Sequence, residues 1–153
     1  MKPLLIISHT PSENTISLAE AAYAGALAYA EGRPIQRMRP TEIEAEMILG
    51  AAGIIIGTTE NISAMAGLTK DMFDRCYDAW LDNSAGLPVG IYIRAGLDGT
   101  ATNRQLTAIS GALNWKLIQP PVILHGTWQD QFTSEVETLA GAMAAGLDAG
   151  IFG

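Results

Sequence analysis

Three short apolar runs constrain the fold of this chain more than anything else in it: Leu4-Leu5-Ile6-Ile7, Gly53-Ile54-Ile55-Ile56-Gly57 and Val89-Gly90-Ile91-Tyr92-Ile93. Each is too short for a helix, and none alternates apolar with polar residues. A strand that is apolar on both sides must be covered on both faces, which is the condition of a parallel sheet. A fourth run, Val122-Ile123-Leu124, follows Pro120-Pro121, and proline is tolerated at a strand start. Ile35 to Met38, after Gly32-Arg33-Pro34, is a weaker fifth. The composition agrees. It is 48% hydrophobic and 16% charged, against about 25% charged for an average domain. That excludes intrinsic disorder.

Helical patterns fill the intervals. Leu18, Ala22, Tyr23, Ala26, Leu27 and Ala30 fall on one face at 3–4 spacing, as do Leu68, Met72, Phe73, Cys76 and Trp80. Leu106, Ile109 and Leu113 form a shorter stripe, and Val136, Leu139, Ala140, Met143 and Leu147 the last. Thr41-Glu42-Ile43-Glu44 opens a short helix ending near Gly50. The order is strand–helix, five times over. This predicts a single α/β domain over residues 1–153, a doubly wound parallel sheet of five strands with helices on both faces. In such sheets ligands bind beyond the carboxyl ends of the strands. The loops after Ile7, Ile56 and Ile93 are therefore the places to look.

Nine Lys and Arg stand against sixteen Asp and Glu, a net charge of −7. Phosphate backbones and acidic lipid surfaces need clustered cations, so nucleic acid and membrane are not expected partners. No run reaches the roughly 18 apolar residues of a membrane span, and no signal-peptide cleavage site follows Leu4 to Ile7. Cys76 has no second cysteine to bridge to. The expectation is a cytoplasmic protein. Cys76 lies on an apolar helix stripe and reads as core. His9 and His125 make no metal spacing, and no Cys-x5-Arg loop or Gly-x-Ser-x-Gly elbow is present.

The first loop, Ser8-His9-Thr10-Pro11-Ser12-Glu13-Asn14-Thr15, puts hydroxyls, an amide and free backbone N–H groups at a helix start. Such a turn is an anion site suited to a phosphate monoester. The same residues equally describe N-capping by Ser12, Asn14 or Thr15. Neither Gly-Lys-Ser/Thr nor G-x-G-x-x-G occurs, so neither a triphosphate loop nor a dinucleotide fingerprint is present.

Thr10-Pro11-Ser12-Glu13-Asn14-Thr15 resembles the FMN phosphate loop of flavodoxins, hydroxyl–x–hydroxyl–Gly–Asn–Thr. Gly57-Thr58-Thr59-Glu60-Asn61-Ile62-Ser63-Ala64-Met65-Ala66-Gly67-Leu68, then Lys70-Asp71-Met72-Phe73-Asp74-Arg75, resembles a segment of flavodoxin-family NAD(P)H-dependent FMN reductases. There it runs Gly-Thr-Pro-Glu-Asn-Phe-Gly-x-Met-x-Gly, then Leu-Lys-Asp-Phe-Phe-Asp-Arg. Ala95-Gly96-Leu97-Asp98-Gly99-Thr100 and Gly111-Ala112-Leu113-Asn114-Trp115-Lys116 are similar to that family too. The resemblance spans nearly the whole chain. It implies the flavodoxin-like strand order 2-1-3-4-5. It also implies an FMN cofactor with NAD(P)H as co-substrate, a small-molecule acceptor such as a quinone or free flavin, and homo-oligomers. By that resemblance the phosphate meets Thr10, Ser12, Asn14 and Thr15. The ring edge meets Thr58, Thr59, Glu60, Asn61, Ile62 and Ser63, and the third loop contributes Gly96, Asp98 and Gly99. No side chain need act as acid or base, so no catalytic residue is named.

The chain departs from the family pattern at three points. Glu13 stands where flavodoxins carry Gly, Thr59 replaces Pro, and Ile62 replaces an aromatic. A carboxylate about 6 Å from a dianionic phosphate costs several kcal/mol at an effective dielectric of about 20, and far less when turned into water. Residues 57–67 and 94–103 contain no Phe, Tyr or Trp. Flavodoxins that carry electrons sandwich the ring between aromatics, so a bare ring face favours a reductase; the acidic surplus points mildly to a carrier, which docks through acid patches. A carrier without NAD(P)H activity and a flavin-free interaction module are the alternatives. Arg94 reads either as a contact for nicotinamide phosphates or as a partner of Asp98. Trp128 reads as a lid or a subunit contact, and the apolar tail from Ala142 as an interface.

Overall fold

The computed structural model describes residues 1–152. The apolar runs form parallel strands β1 (Leu4–Ser8), β3 (Gly53–Asn61) and β5 (Pro88–Ala95), flanked by β2 (Ile35–Met38). Beyond β5 lie β6 (Lys116–Leu117) and β7 (Val122–His125), both parallel to it. The order is β2-β1-β3-β5, then β6 and β7 together on the far side of β5. In terms of the five apolar runs this is 2-1-3-4-5, with the fifth strand split. Leu117 and Val122 are five positions apart, but their partners Val89 and Tyr92 only three. Pro120-Pro121 occupies the surplus, where a residue without an N–H costs the edge strand no ladder bond.

Both faces are covered, as the unbroken apolar runs require. On one side Leu4, Ile6, Ile55, Tyr92 and Leu124 pack under α1 (Glu13–Tyr29) and α5 (Gln131–Ala149). On the other, Leu5, Ile7, Ile54, Ile56, Val89, Ile91 and Ile93 pack under α2 (Ala45–Leu49), α3 (Gly67–Trp80) and α4 (Thr100–Ala112). Full burial of each such side chain contributes about 1.5–3 kcal/mol. Trp80 and Trp115 pack at 5.5 Å between ring centroids. Their indole N–H groups donate to the Ala45 carbonyl at 3.0 Å and to Ser84 Oγ at 2.8 Å. Cys76 is buried beside them, and burial pushes its thiol up, away from the reactive thiolate.

Three expectations need correction. Leu27 and Leu68 are exposed, not core. Leu27 lies about 100° round the helix from Ala26, whose row faces α5; Leu68 is in the first turn of α3, at the sheet's rim. The segment opening at Thr41 is a single 3-10 turn, Pro40–Glu42, followed by the five-residue α2. Finally, β3 does not stop at Gly57. It runs on to Asn61 and folds back through β4 (Ala64–Met65) as an antiparallel hairpin.

Candidate functional site

The carboxyl edge of the sheet is stepped. Ser8, the last residue of β1, lies opposite Gly57, and β3 continues four residues further. At about 3.3 Å per residue the β3–β4 hairpin overhangs the end of β1 by roughly 13 Å. The shelf so formed has the start of α1 on one side and the hairpin as a wall.

Ser12 is the N-cap of α1. Its Oγ accepts from the Thr15 N–H at 3.3 Å, and Thr15 Oγ1 accepts from the Ser12 N–H at 2.9 Å. Thr15 Oγ1 also donates to the Ser12 carbonyl at 2.8 Å and lies 3.0 Å from Ser12 Oγ. The capping reading of these two residues therefore holds, and their hydroxyls are turned into the cap. With those N–H groups taken, the Glu13 and Asn14 N–H groups have no acceptor among the described residues. They point out of the helix start beside Thr10, whose hydroxyl also has no partner there. Glu13 and Asn14 are exposed. His9 follows β1, its N–H donating to the Gly57 carbonyl at 2.9 Å. Burial lowers its pKa, so the imidazole is neutral at pH 7 and adds no cation to the turn.

In the hairpin wall the side chains are bonded within the protein. Thr58 Oγ1 meets Thr69 Oγ1 at 2.8 Å, Thr59 Oγ1 donates to Asn61 Oδ1 at 2.9 Å, and Glu60 Oε2 accepts from the Thr102 N–H at 2.9 Å. Glu60 is thus the anion at the start of α4, a favourable place for a carboxylate. Gln105 of α4 holds the other strand through the Met65 N–H at 2.9 Å. The tip, Ile62-Ser63, has φ of +51° and +61°, as a two-residue primed turn demands. Ile62 is 100% exposed. What this wall offers a ligand is the backbone of Asn61, Ile62 and Ser63, not the side chains below them.

The third loop also combines support with open backbone. Asp98 Oδ1 accepts from the Thr100 N–H at 3.0 Å, and that bond holds its carboxyl below the usual range. Gly99 is the α4 N-cap at φ +71°; a Cβ there would come 2.7 Å from Ile123 Cγ2, so glycine is required by packing. A Cβ on Gly96 would meet nothing within 4 Å, so this stretch of backbone faces open space.

Arg94 is engaged within the protein. Its guanidinium donates to the carbonyls of Ala95, Leu124 and Gly126 at 2.7–3.0 Å, and lies 5.2 Å from the Phe132 ring and 5.8 Å from that of Trp128. It does not pair with Asp98, and its Nη1 and Nη2 are held by backbone carbonyls. Trp128 is held edge-on against Phe132 at 5.5 Å, a packing contact on the α5 side. The Lys70 to Arg75 motif is structural as well: Lys70 pairs with Asp74, and Arg75 pairs with Asp71 while binding the carbonyls of Ile43 and Pro40.

Sequence reasoning missed one feature beneath the shelf. Tyr92 lies across β3 over Gly57 and bonds Ser8 Oγ at 3.0 Å. The signal was present: a tyrosine in an apolar run buries a hydroxyl that needs a partner.

No protein-family model and no curated protein matches the sequence. Solved structures do resemble it. A flavodoxin from the domain Archaea is 18% identical with a TM-score of 0.80, covering 97% of this chain and 99% of that one. A WrbA-like flavodoxin from Agrobacterium tumefaciens is 13% identical with a TM-score of 0.78, covering 97% and 99%. The flavodiiron protein from Giardia intestinalis is 10% identical with a TM-score of 0.81, and this chain, 97% covered, spans 37% of it. With its strand order, its two helical layers and these likenesses, the chain has the flavodoxin-like fold.

Proposed function

We propose that this protein binds FMN on the shelf beyond β1 and β3 and passes reducing equivalents from NAD(P)H to a small acceptor such as a quinone or free flavin. The observation that carries the reading is the step in the sheet edge. An amide-bearing helix start lies on one side, and a hairpin wall with bare backbone and no aromatic residue on the other.

The residues present fit such a group. The Glu13 and Asn14 N–H groups, with Thr10 and the Asn14 amide, would hold a phosphate by hydrogen bonds and the positive end of the α1 dipole. Ser12 and Thr15 shape that turn by closing the cap. Glu13, exposed, carries its charge into water. The peptides of Asn61, Ile62, Ser63 and Gly96 would meet the polar edge of the ring; Thr58, Thr59, Glu60, Asp98 and Gly99 would hold those peptides in place. When bound, the flavin supplies hydride acceptance and one- or two-electron release. The absence of aromatics in both ring-facing loops leaves a face free for a stacked nicotinamide, which favours a reductase. The surplus of seven acidic charges favours the second reading, a carrier that docks on a protein partner.

The purified protein, mixed with FMN and desalted, should keep flavin absorbance between about 300 and 550 nm, and NADPH should bleach it in a stopped-flow trace without a further protein. Retention without bleaching would select the carrier. Failure to retain or quench FMN would overturn both. Glu13→Gln should tighten FMN at low salt, with the gain shrinking as salt is raised.

A further inference from the structure

A cavity of about 130 Å³ opens between the end of β1, the end of β2 and the first half of α1. Its polar lining is Ser8, Thr10, Arg37, Arg39 and Glu42. Two of the nine cationic side chains of an acidic protein therefore meet in one small recess. Arg39 is already paired: its Nε lies 3.3 Å from Glu42 Oε1, which also accepts the Arg39 N–H at 2.8 Å. Arg37 is different. Among the described residues it has no carboxylate partner and no hydrogen bond. It is held in place by the face of Tyr23, 5.0 Å from its guanidinium carbon, and by its register opposite Ile6. Five N–H donors in a fixed fork are thus free beside an unpartnered Thr10 hydroxyl. Ser8 is anchored to Tyr92, which makes that wall rigid. The lining carries one net positive charge, and the space suits one small tetrahedral anion.

We infer that this recess is an anion subsite for a phosphate monoester group, with Arg37 as its cation and Thr10 as its hydroxyl donor. It stands on the β2 side of the shelf, separate from the amide pair of Glu13 and Asn14, and shares only Thr10 with it. It does not depend on flavin binding. The flavin's single phosphate belongs, in the proposed function, to the Glu13 and Asn14 amides, so the group this recess would take is the 2′-phosphate of a nicotinamide dinucleotide.

The first probe is inorganic phosphate, titrated at constant ionic strength against chloride and followed by ¹⁵N NMR. Saturable shifts are expected at Thr10, Arg37 and Met38. Arg37→Gln, an exposed position, should weaken the apparent affinity about tenfold or more, the loss expected for a charge-assisted bond. Glu42→Gln keeps an acceptor for the Arg39 N–H but frees the Arg39 charge, and should tighten binding. Arg104→Gln on exposed α4 should change nothing. Absence of saturable shifts, or an equal loss in Arg104→Gln, overturns the subsite while leaving flavin binding untouched. Calorimetry then tests the source. Weaker NADPH with unchanged NADH in Arg37→Gln is the expected result; weaker FMN with unchanged riboflavin would put the flavin phosphate here and overturn a subsite separate from the amide pair. If Arg37→Gln alters neither pair, the subsite serves no nucleotide and the inference falls.

Discussion

At the scale of single residues, the junction of β1, β3 and β5 rests on Gly57. Its missing side chain is what lets Tyr92 cross β3 and reach Ser8, since a Cβ at position 57 would sit inside the Tyr92 ring. Overpacking of this kind costs roughly 1–3 kcal/mol where neighbours can yield, and here the neighbour is a fully buried ring. Gly57→Ala should therefore destabilise by about 3 kcal/mol or more in urea unfolding. In a Tyr92→Leu background the added cost should fall below about 1 kcal/mol, a coupling expected of residues in contact. Equal costs in both backgrounds would show that Tyr92 is not the obstacle. Glycines at 57 and 99 belong to the motif that suggested a ligand site, yet both are explained by packing. A resemblance in residue type does not by itself separate a ligand contact from the support behind it.

Among the elements, the β3–β4 hairpin carries local strain at its tip. A non-glycine residue in the left-handed region costs roughly 1–2 kcal/mol, and a β-branched one is an outlier there. Ile62 and Ser63 both occupy it. Ile62→Asn combined with Ser63→Gly installs the preferred pair for this turn and should raise stability by about 1–2 kcal/mol, read as an increase in Tm of several degrees. The peptides proposed to meet the ring keep their places, so FMN retention should be unchanged from the parent protein. An unchanged Tm would mean that the tip relaxes at no cost. The same chemistry explains why the hairpin was not legible. Without Asn-Gly or a leading glycine, nothing in Ile62-Ser63 announces a two-residue turn. The polar stretch Thr58 to Asn61 reads as loop, and pairing with β5 and β4 together with side-chain bonds to α3 and α4 keeps it extended.

For the molecule as a whole, burial of Tyr92 ties global stability to alkaline pH. Burial pushes its pKa up to about 12, against a weaker lowering by the Ser8 hydrogen bond; the unfolded value is about 10. Between those values the unfolded chain has released a proton that the folded chain keeps, so stability falls as pH rises, by on the order of 2–3 kcal/mol in total. Tyr92→Phe should cost about 1 kcal/mol near pH 8, where only the Ser8 bond is lost. Towards pH 12 it should become the more stable protein, and urea unfolding across that range checks the crossing. The layered α/β architecture was legible because burial on both faces leaves an unbroken apolar run, a property each strand carries locally. The stepped edge, the free amides of Glu13 and Asn14, the commitment of Arg94 to carbonyls and the recess around Arg37 were decided only in three dimensions. Each depends on which distant groups arrive as partners: Gly126 for Arg94, Tyr23 for Arg37, Thr102 for Glu60. Hydrophobic patterning is written along the chain, whereas the pairing of polar groups depends on distances that exist only after the sheet has closed.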